Sequence, residues 1–431
     1  MFRYRWIIIL MLFLANAINY TDRSAMSVAL PLLSKQYHLT PSQAGMILSS
    51  FFIGYAIFNF VGGYMSDKKG PRLIMGTAMT AWSLFCGLTA ATFNFISLFI
   101  VRLFFGFGEG PLTSTTNKAM NNWIPLKERA RAVGIANAGA PLGGAVSGPI
   151  VALISLHWGW KCSFIVLAIV GLIWAIFWFK VSRDKPEMHP KVTKAELKEI
   201  IGEESLNLVN NQKAVAKPAV KTSLFTILKQ PKVAALAVGM FGYNYTLFFF
   251  LTWFPSYLMD ARHLSVGKMG IVSVLPWIAG GIGQIVGSII IDYIYKVTGK
   301  AVFSRKIVLV TCLIASAICV ALTGLASTVI TAVTLMTFGI CFLYLQATTY
   351  WAIIQDVVPS DKVGGTSGFV HAIANISGII GPTVTGFIVQ YSGHYTAAFI
   401  LAGGLAIIGA LGVAFFVKSN MAENLDSRKV V

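Results

Sequence analysis

Apolar runs of about 20 residues follow one another from Trp6 to Lys418, and each is long enough to cross a bilayer. Lipid offers no water to satisfy backbone N–H and C=O groups, which confines such a chain to helices or a closed barrel. The runs are too long and too uniformly apolar for barrel strands, so helices follow. Composition agrees: 56% of the 431 residues are hydrophobic and 12% are charged, against about 25% charged in soluble domains. The predicted class is an all-α, multi-pass integral membrane protein.

Twelve spans are predicted, at 6–33, 42–66, 73–92, 96–122, 128–156, 161–182, 233–259, 266–296, 304–325, 328–357, 362–391 and 395–418. Connections and adjoining span ends on one side hold Lys68, Lys69, Arg72, Lys127, Arg129, Arg131, Lys296, Lys300, Arg305 and Lys306. The opposite side holds only Lys35, Lys161, Arg262 and Lys268. By the positive-inside rule both termini are expected in the cytoplasm. The same rule accounts for the net charge of +18 without a nucleic-acid partner. Cys86, Cys162, Cys312, Cys319 and Cys341 lie in or beside apolar runs without metal-ligand spacing or a disulfide framework. The first run leads into Asp22–Arg23 with no small-residue cleavage site ahead of a soluble domain, so it reads as a first transmembrane helix.

Three segments are expected: a six-helix half at 1–182, a cytoplasmic linker at 183–232 and a second half at 233–431. The linker sequence "TKAELKEIIGEESLNL" has helical periodicity and a Thr193–Glu196 capping-box spacing. Gly45, Gly62 and Asp67 recur 225 positions on as Gly270, Gly287 and Asp292, and Gly148–Pro149 recurs as Gly381–Pro382. Parallel six-span repeats are a transporter architecture, with the substrate near the midplane between halves.

Two arginines and two carboxylates sit within stretches that are otherwise apolar: Asp22 and Arg23 in the first span, Arg102 and Glu109 in the fourth. Each costs about 2.5–3.5 kcal/mol at a helix centre on insertion scales, so intramembrane charge points to function. Asp22 and Arg23 are adjacent and diverge by about 100° around the helix, so they are not natural partners. Arg102 and Glu109 lie two turns apart on one face, within reach of each other through substrate, water or a neighbour such as Asp22. Guanidinium groups suit bidentate carboxylate recognition. A substrate carboxylate competing for such an arginine would favour protonation of the protein carboxylate, which links anion and proton binding. The competing reading is an ion-pair lattice between spans one and four that serves packing alone. Other candidate cavity residues are Asn16, Asn19, Tyr20, Tyr55, Thr113, Thr116, Asn117, Tyr243, Asn244, Gln346, Trp351, His371 and Asn375. Each supplies a polar or aromatic contact for a hydroxylated ligand, or glue between helices.

Residues 63–72, "GYMSDKKGPR", fit Gly-x-x-x-Asp-(Arg/Lys)-x-Gly-x-(Arg/Lys). Gly63 is expected to allow close helix approach and Gly70 a tight turn. Asp67 is expected at the membrane edge, held by a helix N-terminus or an arginine. The motif resembles the signature of the major facilitator superfamily, and the twelve-span layout, central loop and half repeat match that superfamily over the whole chain. "NYTDRSAMSVALP", Arg102 seven residues before the glutamate of "GFGEGP", "NNWIPLKERARAVGI" and "FFFLTWFPSYL" resemble the anion:cation symporter family.

The resemblance implies a proton-coupled importer of an organic anion, a hexonate, aldarate or uronate, working by alternating access. It implies that Asp22, Arg23, Arg102 and Glu109 serve substrate binding and proton coupling, and the position of Tyr20 and Asn375 relative to the family motifs adds them to the substrate site; Tyr55, Asn117, Tyr243, Asn244, Gln346 and His371 are expected there as polar or aromatic residues suited to a hydroxylated ligand. Within that set Asp22 and Glu109 are expected to couple protons, and Gly63, Asp67, Lys68, Gly70 and Arg72, in the loop at the cytoplasmic surface, are expected to gate. Ala140 stands where sugar-acid carriers of the family often have glutamine, and His371 where many have asparagine, which changes the hydrogen-bonding inventory around a substrate. The alternatives are an exporter or exchanger of another organic anion or drug, and a membrane sensor or enzyme. The soluble segments carry no nucleophile–base set, metal cluster or nucleotide loop, so no enzyme activity and no cofactor is expected. The expected partners are a carboxylate substrate, protons and lipid; the expected state is a monomer in a bacterial inner membrane.

Overall fold

The computed structural model describes residues 3–201, 224–358 and 363–417. Among the described residues, eleven helical segments are long and apolar enough to cross a membrane. The 33-residue first helix, which carries Asp22 and Arg23, is not among the eleven. The chain divides into two compact units, Met1–Pro218 with Val266–Ile271, and Ala219–Ser265 with Val272–Val431.

The first unit contains α1 (Arg5–Tyr37), α2 (Pro41–Lys69), α3 (Pro71–Leu88), α4 (Phe95–Glu109), α5 (Leu112–Trp123), α6 (Leu126–Asn137), α7 (Gly139–Trp158), α8 (Trp160–Val181) and α9 (Lys194–Ile201). Helix starts follow local chemistry. Thr40 and Gln43 form a capping box ahead of Pro41, and Asn94 and Ser97 form another at α4. The helices pack as pairs, α1 with α7, α2 with α4 and α3 with α8. The α2–α4 contact is backbone on backbone: a Cβ on Gly106 would lie 2.1 Å from the Phe51 carbonyl oxygen. Small residues that let helix backbones meet replace the hydrophobic drive that lipid removes.

The remaining helices are α10 (Leu224–Leu228), α11 (Pro231–Asp260), α12 (Val266–Val272), α13 (Val274–Thr298), α14 (Ala301–Thr323), α15 (Val329–Leu345), α16 (Thr349–Val357), α17 (Val363–Ser392) and α18 (Thr396–Phe416). In the second unit α11 pairs with α17 and as extensively with α18, α13 with α15 and α14 with α18. The three pairs of the first unit recur, with a larger α11–α18 contact added, and give the sequence repeat a structural counterpart.

Four predicted spans cross as single helical segments that carry an internal joint. Span 96–122 divides at Gly110–Pro111, 128–156 at Ala138, 266–296 at Ser273 and 328–357 at Gln346–Thr348. Proline explains three of them. Pro111, Pro141 and Pro276 lack the N–H for a bond four residues back, and the ring presses on that carbonyl. Nothing comparable lies at the fourth joint.

Candidate functional site

The four intramembrane charges are all buried, and α1 and α4 bring them together inside the first unit. Arg23 Nε donates to Glu109 Oε2 at 2.6 Å. This is a charge-assisted bond in surroundings where neither charge meets bulk water. The guanidinium is also enclosed by rings, 4.5 Å from the centroid of Tyr55, 5.0 Å from Phe51 and 5.4 Å from Tyr20. Their faces carry negative charge density that favours a cation. Arg102 lies over Phe105 at 4.6 Å and Phe51 at 5.1 Å, with its Nε unbonded. Phe51 thus lies beneath both arginines.

Glu109 is the last residue of α4, one residue before the Gly110–Pro111 joint. Its Oε1 accepts no bond, with the Asn19 amide beside it. Asp22 has neither carboxylate oxygen bonded; Glu109 and Arg102 are its charged neighbours. Trp82 and Cys86, one turn apart on α3, complete the surroundings of Asp22. Sequence reading passed over both, because tryptophan and cysteine in an apolar helix look like core filling. A spacing of four residues on α3 put them on one face, but nothing in the sequence pointed that face at Asp22.

Glu109 pairs directly with Arg23 and not with Arg102, which shares its helix. Spacing along a helix finds neighbours on that helix and is blind to a partner on another. Tyr55 Oη lies 3.3 Å from Thr113 Oγ1. Asn117 and Thr113 are exposed, whereas Thr116 is buried with its hydroxyl unbonded.

The second-unit candidates are less concentrated. Gln346 is fully buried at the α15–α16 joint with both side-chain amide atoms unbonded. Tyr243 stands edge-on to Tyr350 with centroids 5.9 Å apart, and the Tyr350 hydroxyl is buried without a bond. His371 is edge-on to Trp351 at 5.5 Å. Asn244 and Asn375 are buried.

In the 63–72 segment, Asp67 pairs with Lys118 Nζ at 2.7 Å, a lysine in place of the expected arginine or helix terminus. The closest approach is made by Gly62, where a Cβ would lie 2.4 Å from Pro111 Cβ; at Gly63 the nearest atom, Ser114 Cβ, is 3.3 Å away. Gly70 has φ +85, and a Cβ there would collide with the Asp184 carboxylate. That carboxylate accepts from the Arg72 backbone N–H at 2.9 Å, while the Arg72 side chain donates to the Phe179 carbonyl at 2.6 Å. Lys68 Nζ lies 4.5 Å from the Tyr64 ring centroid.

The linker helix α9 begins as predicted, with the Glu196 N–H bonded to Thr193 Oγ1 at 3.2 Å. Its glutamate, however, does not reach back to complete a capping box. Glu196 instead accepts from the backbone N–H groups of Tyr4 and Arg5, at 3.1 and 3.0 Å, and so caps α1. Arg5 is fully buried between Glu199 (3.0 Å) and Glu128 (2.9 Å). Beyond Ile201 the predicted linker lies outside the described residues until Leu224.

Comparison with known proteins fits this arrangement of paired helices and buried charge. The model of the Major Facilitator Superfamily matches residues 12–371 and again 301–429. The chain belongs to the Major Facilitator Superfamily. It is an integral, multi-pass membrane transport protein and not an enzyme. It is 49% identical over 413 residues to a hexuronate transporter of Bacillus subtilis (strain 168), covering 95% of this chain and 94% of that one. It is 32% identical to a probable sulfoacetate transporter of Cupriavidus necator, over 92% of this chain and 90% of the other. Among solved structures, a D-xylose-proton symporter superposes with a TM-score of 0.74 at 15% identity, over 96% of this chain and 98% of that chain, which establishes a shared fold.

Proposed function

We propose that this protein is a proton-coupled symporter that imports a sugar acid, a hexuronate first among them, by alternating access. The observation that carries the reading is the buried Arg23–Glu109 pair beside an unbonded Asp22. The name of the Bacillus subtilis relative, at 49% identity over nearly full length, supports the hexuronate class. In this scheme Arg23 and Arg102 receive the substrate carboxylate. An anion at Arg23 takes the guanidinium from Glu109. A carboxylate left unpaired in an apolar interior is costly, so Glu109 is neutralised by a proton, with Asp22 as the neighbouring exchange group. Tyr20, Tyr55, Asn117, Tyr243, Asn244, Gln346, His371 and Asn375 are the residues proposed to supply contacts for hydroxyls and the carbon chain.

The scheme has twelve spans, α1 being the twelfth, in halves at 1–182 and 233–431 joined by the 183–232 linker. Both termini face the cytoplasm of a bacterial inner membrane, and the unit of transport is the monomer. Gly63, Asp67, Lys68, Gly70 and Arg72 serve gating. The test is uptake of labelled glucuronate into proteoliposomes with an imposed proton gradient. Uphill uptake that carboxylate sugars inhibit and the matched aldoses do not is expected. Equal inhibition by a neutral sugar, or indifference to the gradient, refutes it. The sulfoacetate relative motivates a second reading, carriage of a different small organic anion. Preferential inhibition by sulfoacetate in the same assay selects that one.

A further inference from the structure

Two unbonded groups meet beside the Arg23–Glu109 pair. The indole Nε1 of Trp82 is a buried donor without an acceptor, and both oxygens of Asp22 are buried acceptors without a donor. Trp82 is fully buried on α3 and packs against Gly108, one residue before Glu109, where an added Cβ would lie 2.7 Å from its backbone nitrogen. Its indole nitrogen borders the Asp22 carboxylate without closing a hydrogen bond in this conformation. The other titratable groups facing Asp22 are Glu109 and Arg102 from α4 and Cys86 from α3. Arg23, its neighbour in sequence, is committed to Glu109.

An indole N–H left without an acceptor in an apolar interior is costly, and it can only donate. A buried carboxylate that must lose its proton needs a donor at that moment. We infer that Trp82 is the positioning residue for Asp22, its indole N–H closing onto the carboxylate when Asp22 releases its proton. The inference rests on the reading of Asp22 as a proton-exchanging group. It adds that the group receiving the new charge comes from α3, a helix that carries none of the four buried charges.

Trp82→Phe keeps an aromatic ring, smaller than the indole, and removes the N–H. In the purified full-length protein, the pH dependence of glucuronate binding is followed by calorimetry, which needs no turnover. Without the donor the charged form of Asp22 is disfavoured, the proton is held longer, and the midpoint moves to higher pH. A bond to a charged group corresponds to a shift of about one to two pH units. In an Asp22→Asn background the same replacement moves nothing further. An unmoved midpoint in Trp82→Phe, when Asp22→Asn has altered the profile, overturns this inference and leaves the proton reading intact. A profile that Asp22→Asn does not alter overturns both. Infrared spectra of the wild type at high pH give a measurement independent of how Trp82→Phe folds. The carboxylate bands that Asp22→Asn removes are expected at the hydrogen-bonded position; bands at the free position overturn the inference.

Discussion

Arg23 combines one hydrogen bond to Glu109 with three surrounding rings, and that combination is specific to a planar guanidinium. Arg23→Lys retains the charge and loses the fork and the ring stacking. Substrate affinity is expected to fall about ten- to a hundredfold, the worth of one to two charge-assisted bonds; equilibrium binding of glucuronate measures it. Glu109→Gln mimics a carboxyl that never releases its proton. Proton-driven accumulation is expected to vanish while binding stays measurable. Uphill uptake at the wild-type level excludes Glu109 from coupling. At this scale the sequence was informative about identity and poor about partnership. A charge in an apolar run declares itself, whereas Trp82, Cys86, Phe51 and Phe105 differ in no local way from residues that merely fill space.

Elements were legible wherever hydropathy and capping chemistry agree. The span limits and the start of α9 follow from such signals. The joints inside spans were not, because a run stays apolar across a proline that halts the hydrogen-bond ladder. Nor was the fate of the segment after α8. His189 packs on Tyr4 with ring centroids 4.0 Å apart, and its Nδ1 accepts from the Lys191 N–H at 3.2 Å. Burial is the main cause holding its pKa below the ordinary 6.5; Arg183 and Lys191 push the same way, while Glu196 and the Val181 carbonyl oppose them. The fold therefore binds this proton more weakly than the unfolded chain does. No stability is lost above about pH 6.5, and stability falls as pH drops below it. Thermal unfolding between pH 7.5 and about 5 should show this acid loss in the wild type and less of it in His189→Phe. Parallel curves would mean that protonation of His189 leaves this packing unaffected.

The two units repeat one pairing scheme, and this whole-molecule regularity was foreshadowed by glycines 225 positions apart. A repeat in sequence survives where helix backbones meet, since a larger residue there is excluded by contact, as at Gly287 against Leu345. Charge has no such protection, and the second unit has no counterpart of the Arg23–Glu109 pair among its described residues. The Asp67–Lys118 bridge belongs to this scale because its proposed role is to bias the balance between conformations. With side chains 67% and 34% exposed, it contributes at most about 1 kcal/mol to stability. Asp67→Asn is thus expected to leave the unfolding midpoint nearly unchanged, alter the transport rate and the labelling of cytoplasmic-side cysteines, and preserve the ranking of competing sugar acids. Unchanged labelling, or a changed ranking, counts against a gate. The cap that Glu196 places on α1 also sets an order of events at the ribosome. The two partners are 191 residues apart, so at synthesis rates of about 5–20 residues per second the opening N–H groups of the first helix wait about 10–40 s for their carboxylate. A helix made early is thus capped late, and Arg5 needs water, lipid headgroups or a chaperone as company until the chain has come round to it.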